Sequence, residues 1–411
     1  MRMTPISPST GEVQITSDRS KFVIHNYPVV YVIFGEIPMF LRLNIELASR
    51  RNPVVVISDA VLPRYFSFLN NGNEQTVTLI PMSDYSEGRN RFVRLYRHLS
   101  KDKSNNVAES RCFQRWFILH DFMDRNNITH VLFADGDSAI FTSAYTAWKM
   151  RNRCSAVINV DTQRSPFYWV AAGEASLWML PAIADFCKFI ESMYSKHVDI
   201  ISLKFKSTQT NVVDMSLLWL WWVAHFDKPG WESGRPYLTA NSHAYERRTD
   251  IEMRSISDIS FNETKALLLP AVDSSLSLCN GLDVVNRTVF DHVMGWYTLG
   301  ERFSFDLDGE GIPYAYGIAY RLGGKPESLD EHDIELLRNK KLYVNNIHYQ
   351  GATKEHILYD ICRVLSMTGH RVIFDPYVRK QCMSEFERHQ REWTCAIHPR
   401  YDKLKLPPTC V

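Results

Sequence analysis

Two carboxylates spaced two residues apart are the strongest sign of chemistry in this chain. The apolar run over residues 130–134 predicts a buried strand, and Asp135, Gly136 and Asp137 follow it directly. Side chains alternate between the faces of a strand, so both acids can point the same way or converge on one ion where the strand ends. Close carboxylates repel unless a proton, a metal ion or a cation lies between them. A distant imidazole, His348, could supply a further metal ligand, which favours metal chemistry.

Composition and charge limit the class of protein. The chain has 411 residues and is 45% hydrophobic, enough for one large α/β domain with decorations or for two smaller domains. Its 47 basic and 46 acidic residues leave a net charge of +1. This balance argues against a protein that binds nucleic acid by neutralising phosphates, so we expect no nucleic-acid partner.

Apolar strands alternate with amphipathic helices before Asp135. The predicted elements are strands over residues 29–34, 54–59 and 77–81 and helices over residues 39–50 and 109–125. Near-continuous apolar strands predict an α/β fold with a mostly parallel sheet that helices cover on both faces. Ligands of such sheets bind outside the carboxyl ends of the strands, and Asp135 lies at one of these ends.

The pattern becomes mixed in the second half of the chain. It predicts a strand over residues 156–160, a helix over 181–194, a last strand over 371–374 and a helix over 377–393. The polar stretch 241–263 is the leading candidate for a long loop or lid. Three tryptophans in an apolar setting are expected to pack in the core: Trp219, Trp221 and Trp222.

Cysteine usage and apolar runs bear on the compartment. The eight cysteines are scattered without a Cys-x-x-Cys pair, so we expect them to be mostly reduced. Residues 1–21 lack the apolar core of a signal peptide, and the apolar run 215–224 is shorter than the about 20 residues of a membrane span. A cytoplasmic protein without a transmembrane segment is predicted, provided that the sequence is full length. Sequons at Asn127, Asn262 and Asn286 would then be chance matches.

These motifs, taken in order, resemble those of GT-A fold glycosyltransferases, and most closely the retaining family 8 that includes glycogenin and lipooligosaccharide galactosyltransferases. The triplet 135–137 resembles the DXD motif of that family, and His348, Gly351 and Lys354 resemble its HxxGxxK motif. The resemblance extends over about residues 29–357. It implies a GT-A fold, here with a C-terminal helical extension.

The resemblance also implies a donor site. Asp135 and Asp137 would share contacts to the ribose and to Mn²⁺ or Mg²⁺, with His348 as the third protein ligand of the metal; mixed oxygen and nitrogen ligation favours Mn²⁺. Gly351 would let the backbone approach the diphosphate, and Lys354 would place its ammonium on the diphosphate oxygens. Taken alone, His348 would instead be a core histidine and Lys354 a solvated surface residue.

Weaker matches extend this nucleotide site. The family has a basic residue on the helix before the DXD strand, and we choose Arg115 over Arg111, with a surface position or a structural ion pair as an equally weighted alternative. Phe34 and Gly35 end the first predicted strand, and Asp59 ends the second, where GT-A enzymes seat the nucleotide base.

Matches on the sugar side are partial. Residues 169–174 keep the glycine, Gly173, of the family's Asn-Ala-Gly or Asn-Ser-Gly element but lack its asparagine. Asp214 resembles the acid of the family's Asp-Gln-x-x-Leu segment, although Met215 replaces the amide. A helix N-cap is the structural alternative for this acid. Asp214 and Glu174 are the predicted catalytic acids.

The predicted function is metal-dependent transfer, with retention of configuration, of a sugar from a nucleoside diphosphate sugar, with UDP favoured, to a glycan, protein or lipid hydroxyl. One alternative is a haloacid-dehalogenase-like phosphatase with Asp135 as nucleophile and Asp137 as general acid, although Ala139 stands where Thr or Val is expected. The other is a glycosyltransferase-like binding protein without turnover.

The domain organisation follows from this resemblance. Residues 1–21 form a flexible N-terminus, and residues 22–368 form the GT-A domain. Within it, residues 22–150 are the nucleotide-binding half and residues 151–368 the sugar and acceptor half. Residues 369–411 add a strand, a helix and a tail.

Overall fold

The computed structural model of this chain describes residues 27–60, 77–99, 106–160, 171–199, 201–202, 212–225, 272–273, 275–280, 284–285, 288–294, 306–308, 312–316, 341–349, 357–367 and 376–392. The predicted lid over residues 241–263, the strand over 371–374, Gly351 and Lys354 lie outside the described residues.

Strands and helices alternate through the first part of the chain, as predicted. In order, they are β1 (Val29–Ile33), α1 (Met39–Ser49), β2 (Val54–Ser58), β3 (Val77–Pro81), α2 (Glu87–Leu95), α3 (Asn106–Arg125) and β4 (His130–Ala134). β1 and β2 read VVYVI and VVVIS and are buried along their whole length. Runs of β-branched residues without polar alternation form strands of this kind, because both faces of the sheet are covered.

The later elements build the other end of the main sheet and a second sheet. They are β5 (Ser138–Ile140), α4 (Ala144–Met150), β6 (Ala156–Val160), β7 (Ala171–Met179), α5 (Leu180–Ser195), α6 (Asp214–His225), β8 (Leu278–Asn280), β9 (Val284–Val285), β10 (Thr288–Met294), β11 (Asp306–Leu307), β12 (Pro313–Tyr316), β13 (Lys341–Tyr349), α7 (Ile357–Met367) and α8 (Pro376–Glu392). The apolar pattern did not predict β5, β7, α4, α7 or any of the strands β8–β13.

The main sheet has seven strands in the order β3-β2-β1-β4-β7-β6-β8. β1 is parallel to β2 and β4, β2 is parallel to β3, and β6 is parallel to β8. Among the strands that the structure describes in this sheet, only β7 runs antiparallel to its neighbours, β4 and β6. The predicted α/β class with a mostly parallel sheet is therefore confirmed.

Helices cover both faces of this sheet. Along β1, Val30 and Val32 belong to a buried cluster with α3, α5 and α6, which also contains the three tryptophans predicted to lie in the core. Val29, Tyr31 and Ile33 belong to a second cluster, with α1 and α4. This alternation along one strand follows the two-residue period of β structure.

The second sheet contains strands β11-β12-β13-β10-β9 in that order, and β5 pairs with β13. β5 begins directly after the acidic triplet, so it connects the end of β4 to this sheet. Behind β5 and β13, a third apolar cluster joins Leu43 and Leu47 of α1 to Ile357 and Ile361 of α7. The triplet therefore lies in a turn that is fixed to both sheets.

Four cysteines form two disulfides, so the expectation of mostly reduced cysteines is wrong. Cys154 and Cys279 are joined with a Cα–Cα distance of 5.7 Å, and Cys362 and Cys382 with 5.5 Å. Parallel pairing of β6 and β8 brings the first pair together across a sequence separation of 125, and packing of α7 against α8 brings the second together. Linear spacing carries no sign of such pairs, because the tertiary fold creates them.

None of the helices in the described part of the chain has the length and apolar character that crossing a membrane requires.

Candidate active site

Several predicted site residues lie at one edge of the main sheet. Asp135 follows β4, Phe34 and Gly35 follow β1, and Asp59 follows β2. β2, β1 and β4 are parallel neighbours, spaced about 4.8 Å apart as in any sheet. The carboxyl ends of parallel strands are where α/β sheets bind ligands, so this edge is the candidate site.

Arg115 joins two of the predicted acids. Its Nη1 lies 2.5 Å from Oδ2 of Asp135, and its Nη2 lies 2.8 Å from Oδ2 of Asp214. The side chains of Arg115 and Asp214 are 8% and 4% exposed, whereas that of Asp135 is 35% exposed. One guanidinium therefore neutralises a buried carboxylate on one side and a solvent-facing carboxylate on the other. The structural ion pair considered for Arg115 is present, and it lies at the candidate site.

Asp214 is held on both of its oxygens. It is the first residue of α6, and its Oδ1 accepts a hydrogen bond from the Met215 N–H at 3.0 Å. Its Oδ2 accepts a second one from Nε1 of Trp116 at 2.9 Å, besides the contact with Arg115. The carboxylate thus bonds the N–H of the next residue at the start of α6, whereas an N-cap side chain bonds the second or third N–H. It also forms part of a buried polar network. Its predicted catalytic role remains a prediction.

The turn that carries the DXD triplet is fastened to α1. Oδ1 of Asp135 accepts a hydrogen bond from the Gly136 N–H at 2.9 Å, and the Gly136 carbonyl accepts one from Nδ2 of Asn44 at 2.9 Å. Asp137 is buried, with 8% of its surface exposed. Sequence reasoning missed Asn44. The available signal was an amide among apolar residues in the middle of a predicted helix.

Strand pairing places the backbone of His348 next to the end of the DXD triplet. β5 pairs antiparallel with β13 in a register that sets His348 opposite Ser138 and Ile347 opposite Ala139. Directly opposed residues of antiparallel strands have their Cα atoms about 4.5–5.5 Å apart. His348 therefore occupies a backbone position across from the residue that follows Asp137. Its role as the third metal ligand remains a prediction.

The residues present fit a divalent cation in part. Two carboxylates precede β5, and the backbone of His348 lies across from it. Carboxylate oxygens with one imidazole nitrogen are residue types that would suit Mn²⁺ or Mg²⁺. Among the side chains that the structure describes, no group of three or more His, Cys, Asp and Glu residues surrounds one point. At Asp135 the counter-ion is Arg115, with which any metal would compete.

Gly173 has a packing role that the motif comparison did not show. It lies in β7, and a Cβ atom added to it would come 2.6 Å from Cη2 of Trp116 and 3.0 Å from Cδ2 of Leu218. Only glycine lets Trp116 lie where its indole N–H reaches Asp214. Glu174, the second predicted acid, is the next residue of the same strand.

The end of β1 combines an aromatic ring with positive charge. The guanidinium carbons of Arg111 and Arg89 lie 5.4 Å and 5.7 Å from the ring centre of Phe34, within the range of cation–π attraction. Gly35 has a φ of +82° and donates its N–H to Oδ1 of Asp59 at 2.6 Å. Arg111, which is not chosen as the basic residue next to the acids, therefore lies beside Phe34, in the region predicted to seat the nucleotide base.

A cavity of about 360 Å³ adjoins this region between α2 and α3, and its lining includes Arg89, Arg111 and Gln114. Arg89 donates from Nε to Oε1 of Gln114 at 2.7 Å, which fixes the arginine against α3. Arg89 and Arg111 thus place two guanidinium groups beside Phe34, whereas the charge of Arg115 is already paired with Asp135 and Asp214.

Comparison with known proteins assigns no family. No protein-family model and no curated protein matches this chain. Among solved structures, apo mouse xyloside xylosyltransferase 1 is similar over 47% of this chain and 80% of its own, at 11% identity and a TM-score of 0.37. An active-site mutant of LgtC is similar over 83% and 95%, at 9% identity and a TM-score of 0.35. A cytidylyltransferase from Leptospira borgpetersenii is similar over 46% and 77%, at 13% identity and a TM-score of 0.23. Similarity at this level decides neither the fold nor the activity of this chain.

Proposed function

We propose that this chain is a metal-dependent glycosyltransferase of the GT-A type, which transfers a sugar from a nucleoside diphosphate sugar to a hydroxyl acceptor. The observation that supports this most strongly is the β5–β13 register, which sets His348 across from Ser138, next to Asp137. The residue after the DXD match and the first residue of the HxxGxxK match, which are far apart in the sequence, thereby lie opposite each other on paired strands. A phosphatase that uses only Asp135 and Asp137 would have no need of this pairing.

The charge at the edge of the sheet suits such a donor. Asp135, Asp137 and His348 would hold Mn²⁺ or Mg²⁺, which as a Lewis acid stabilises the charge that develops on a departing diphosphate. Arg111 and Arg89, which flank Phe34, add positive charge beside the predicted base region. The preference for a uridine nucleotide comes from the family resemblance.

Asp214 has the geometry of a fixed acid. N–H donors from Arg115, Trp116 and Met215 bond to its two oxygens. These three hydrogen bonds fix the orientation of the carboxylate. Such a carboxylate is suited to orienting Arg115 and to stabilising positive charge near the sugar, rather than to acting as a nucleophile. Retention then requires no protein nucleophile, because the acceptor hydroxyl attacks on the face of the leaving group and a diphosphate oxygen takes its proton.

Titration calorimetry tests this proposal. UDP and GDP are titrated into the wild-type protein with Mn²⁺ and, separately, with a chelator. We expect one nucleotide, UDP, to bind only in the presence of metal. Asp137→Asn removes charge with little change of volume, and it should weaken metal-dependent binding at least about tenfold, or 1.4 kcal/mol, while the unfolding midpoint stays near that of the wild type.

Asp124→Asn is the matched control, because Asp124 is an exposed carboxylate near the end of α3, at the opposite edge of the sheet. Its affinity for UDP should equal that of the wild type. Unchanged affinity in Asp137→Asn would refute the metal assignment. If neither nucleotide bound under either condition, the proposal would fail and phosphatase activity at Asp135 would be tested next.

A further inference from the structure

The two disulfides carry information about the compartment in which the chain matures. Cys154, Cys362 and Cys382 are buried, and both pairs join separate elements of the fold. Disulfides of this structural kind form and persist in oxidising compartments and are rare in the cytosol. Each one forms when two thiols lose two electrons and two protons to a disulfide oxidant through thiol–disulfide exchange. The pairing therefore points to a secretory compartment, in place of the cytoplasm predicted from the sequence.

In such a compartment the sequons gain chemical meaning. Asn127, Ile128 and Thr129 satisfy the Asn-x-Thr acceptor pattern. Both Asn127 and Thr129 are exposed, while Ile128 between them is 3% exposed and packs in the core. The other two sequons, at Asn262 and Asn286, have their asparagines outside the described residues.

The backbone presents Asn127 outward. This residue has a φ of +52° in the turn between α3 and β4, and the N–H groups of Asn127 and Ile128 bond to the last turn of α3. The preceding Asn126 donates from Nδ2 to the Tyr85 hydroxyl and to the Phe122 carbonyl. The side chain of Asn127, in contrast, makes no hydrogen bond to any residue that the structure describes. Its amide is available without loss of a contact in the fold.

We infer that Asn127 carries an N-linked glycan, attached in the same oxidising secretory compartment in which the two disulfides form. In this step the Asn127 Nδ2 bonds to C1 of an oligosaccharide and loses one proton. The bond that breaks joins C1 to the diphosphate of a lipid-linked donor, and the lipid diphosphate leaves with the electron pair.

The position of this glycan is compatible with an open active site. Asn127 lies before the amino end of β4, whereas Asp135 lies after its carboxyl end. The strand between them has five residues, or roughly 16 Å of extended chain. The carbohydrate would therefore extend from the edge of the sheet opposite to the candidate site. This inference does not depend on the proposed transferase activity.

Site mapping on the natural protein is the test. The full chain is purified from the cells that make it, after free thiols are blocked before lysis, and is digested with and without peptide N-glycosidase in heavy-oxygen water. We expect the peptide with Asn127 to appear only after deglycosylation, with the asparagine converted to a heavy-oxygen aspartate. Peptides linked through Cys154–Cys279 and Cys362–Cys382 should be found without reduction.

Two variants made in the same cells complete the design. Thr129→Ala destroys the sequon and should lose one deglycosylation-sensitive mobility shift, whereas Thr129→Ser keeps the sequon and should keep the shift. Recovery of unmodified Asn127 peptide in full yield, a glycan confined to the other sequons, or blocked thiols at all four paired cysteines would each overturn the inference.

Discussion

Replacement of Arg115 by methionine tests the network at the candidate site most directly. Arg115→Met keeps an unbranched apolar stem and removes the guanidinium that bonds Asp135 and Asp214. Breaking a buried ion pair by removing one partner costs about 3–5 kcal/mol, because the remaining charge stays buried without compensation. We expect the free energy of unfolding to fall by an amount in this range.

The exposure of Asp135 and Asp214 predicts how much of this loss of unfolding free energy comes from each ion pair. The Asp214 side chain is 4% exposed and cannot be rehydrated without movement of α6, so it should account for about 3 kcal/mol or more of the loss. The Asp135 side chain is 35% exposed, so solvent screening should limit its share to at most about 1 kcal/mol. Asp214→Asn should therefore restore part of the stability of Arg115→Met, whereas Asp135→Asn should restore little.

Urea unfolding of the oxidised protein, followed by tryptophan fluorescence, measures these effects. Double-mutant cycles of Arg115→Met with Asp214→Asn and with Asp135→Asn isolate the two coupling energies. The reasoning is refuted if Arg115→Met destabilises by less than about 1 kcal/mol, or if the coupling to Asp135 equals or exceeds the coupling to Asp214.

Two further changes test packing and buried charge. Gly173→Ala would set a methyl group 2.6 Å from Trp116, so it should lower stability by about 1–3 kcal/mol in urea unfolding; Gly136→Ala is the control, because its methyl would meet Leu41 at an ordinary 3.4 Å. Burial raises the pKa of Glu46 from 4.5 to about 7, so the wild type should lose up to about 3 kcal/mol of stability as the pH rises between these values. Glu46→Gln should remove this pH dependence and should be more stable than the wild type above a pH of about 7. A wild-type free energy of unfolding that does not change with pH would contradict this.

Five of the seven described strands of the main sheet, β1–β4 and β6, could be predicted because they are mostly apolar runs. β3 and β6 have the predicted bounds, and β1 and β2 end one residue early. β7 could not be predicted in this way. Its residues include Gly173 and Glu174, and its pairing with β4 and β6 determines its conformation. Local propensity is overridden here by tertiary contacts, which a single sequence does not display.

The parts of the site that escaped prediction depend on long-range geometry. Arg115 is chosen from the family resemblance, as the basic residue on the helix before the DXD strand, but its second partner, Asp214, lies 99 residues further along the chain. Asn44 supports the triplet across a separation of 92 residues, and the Cys154–Cys279 disulfide joins residues that are 125 apart. Such contacts depend on which elements become neighbours, and apolar periodicity reports only which face of an element is buried.

The ion pairs of Arg115 with Asp135 and Asp214 allow this edge of the sheet to fold without a bound ligand. Asp135 and Asp214 both present carboxylates to the space beside α3, and one guanidinium bonds to each of them. A divalent ion is therefore not required to relieve their repulsion during folding, unlike in small domains that fold only with their metal. The same arrangement leaves the more exposed acid, Asp135, as the one that can exchange its contact with Arg115 for a metal ion, while the buried Asp214 keeps the arginine in place. Under the proposed function, the contact of Arg115 with the exposed Asp135 is the one expected to change when a donor binds, and its contact with the buried Asp214 is the one that holds the site together.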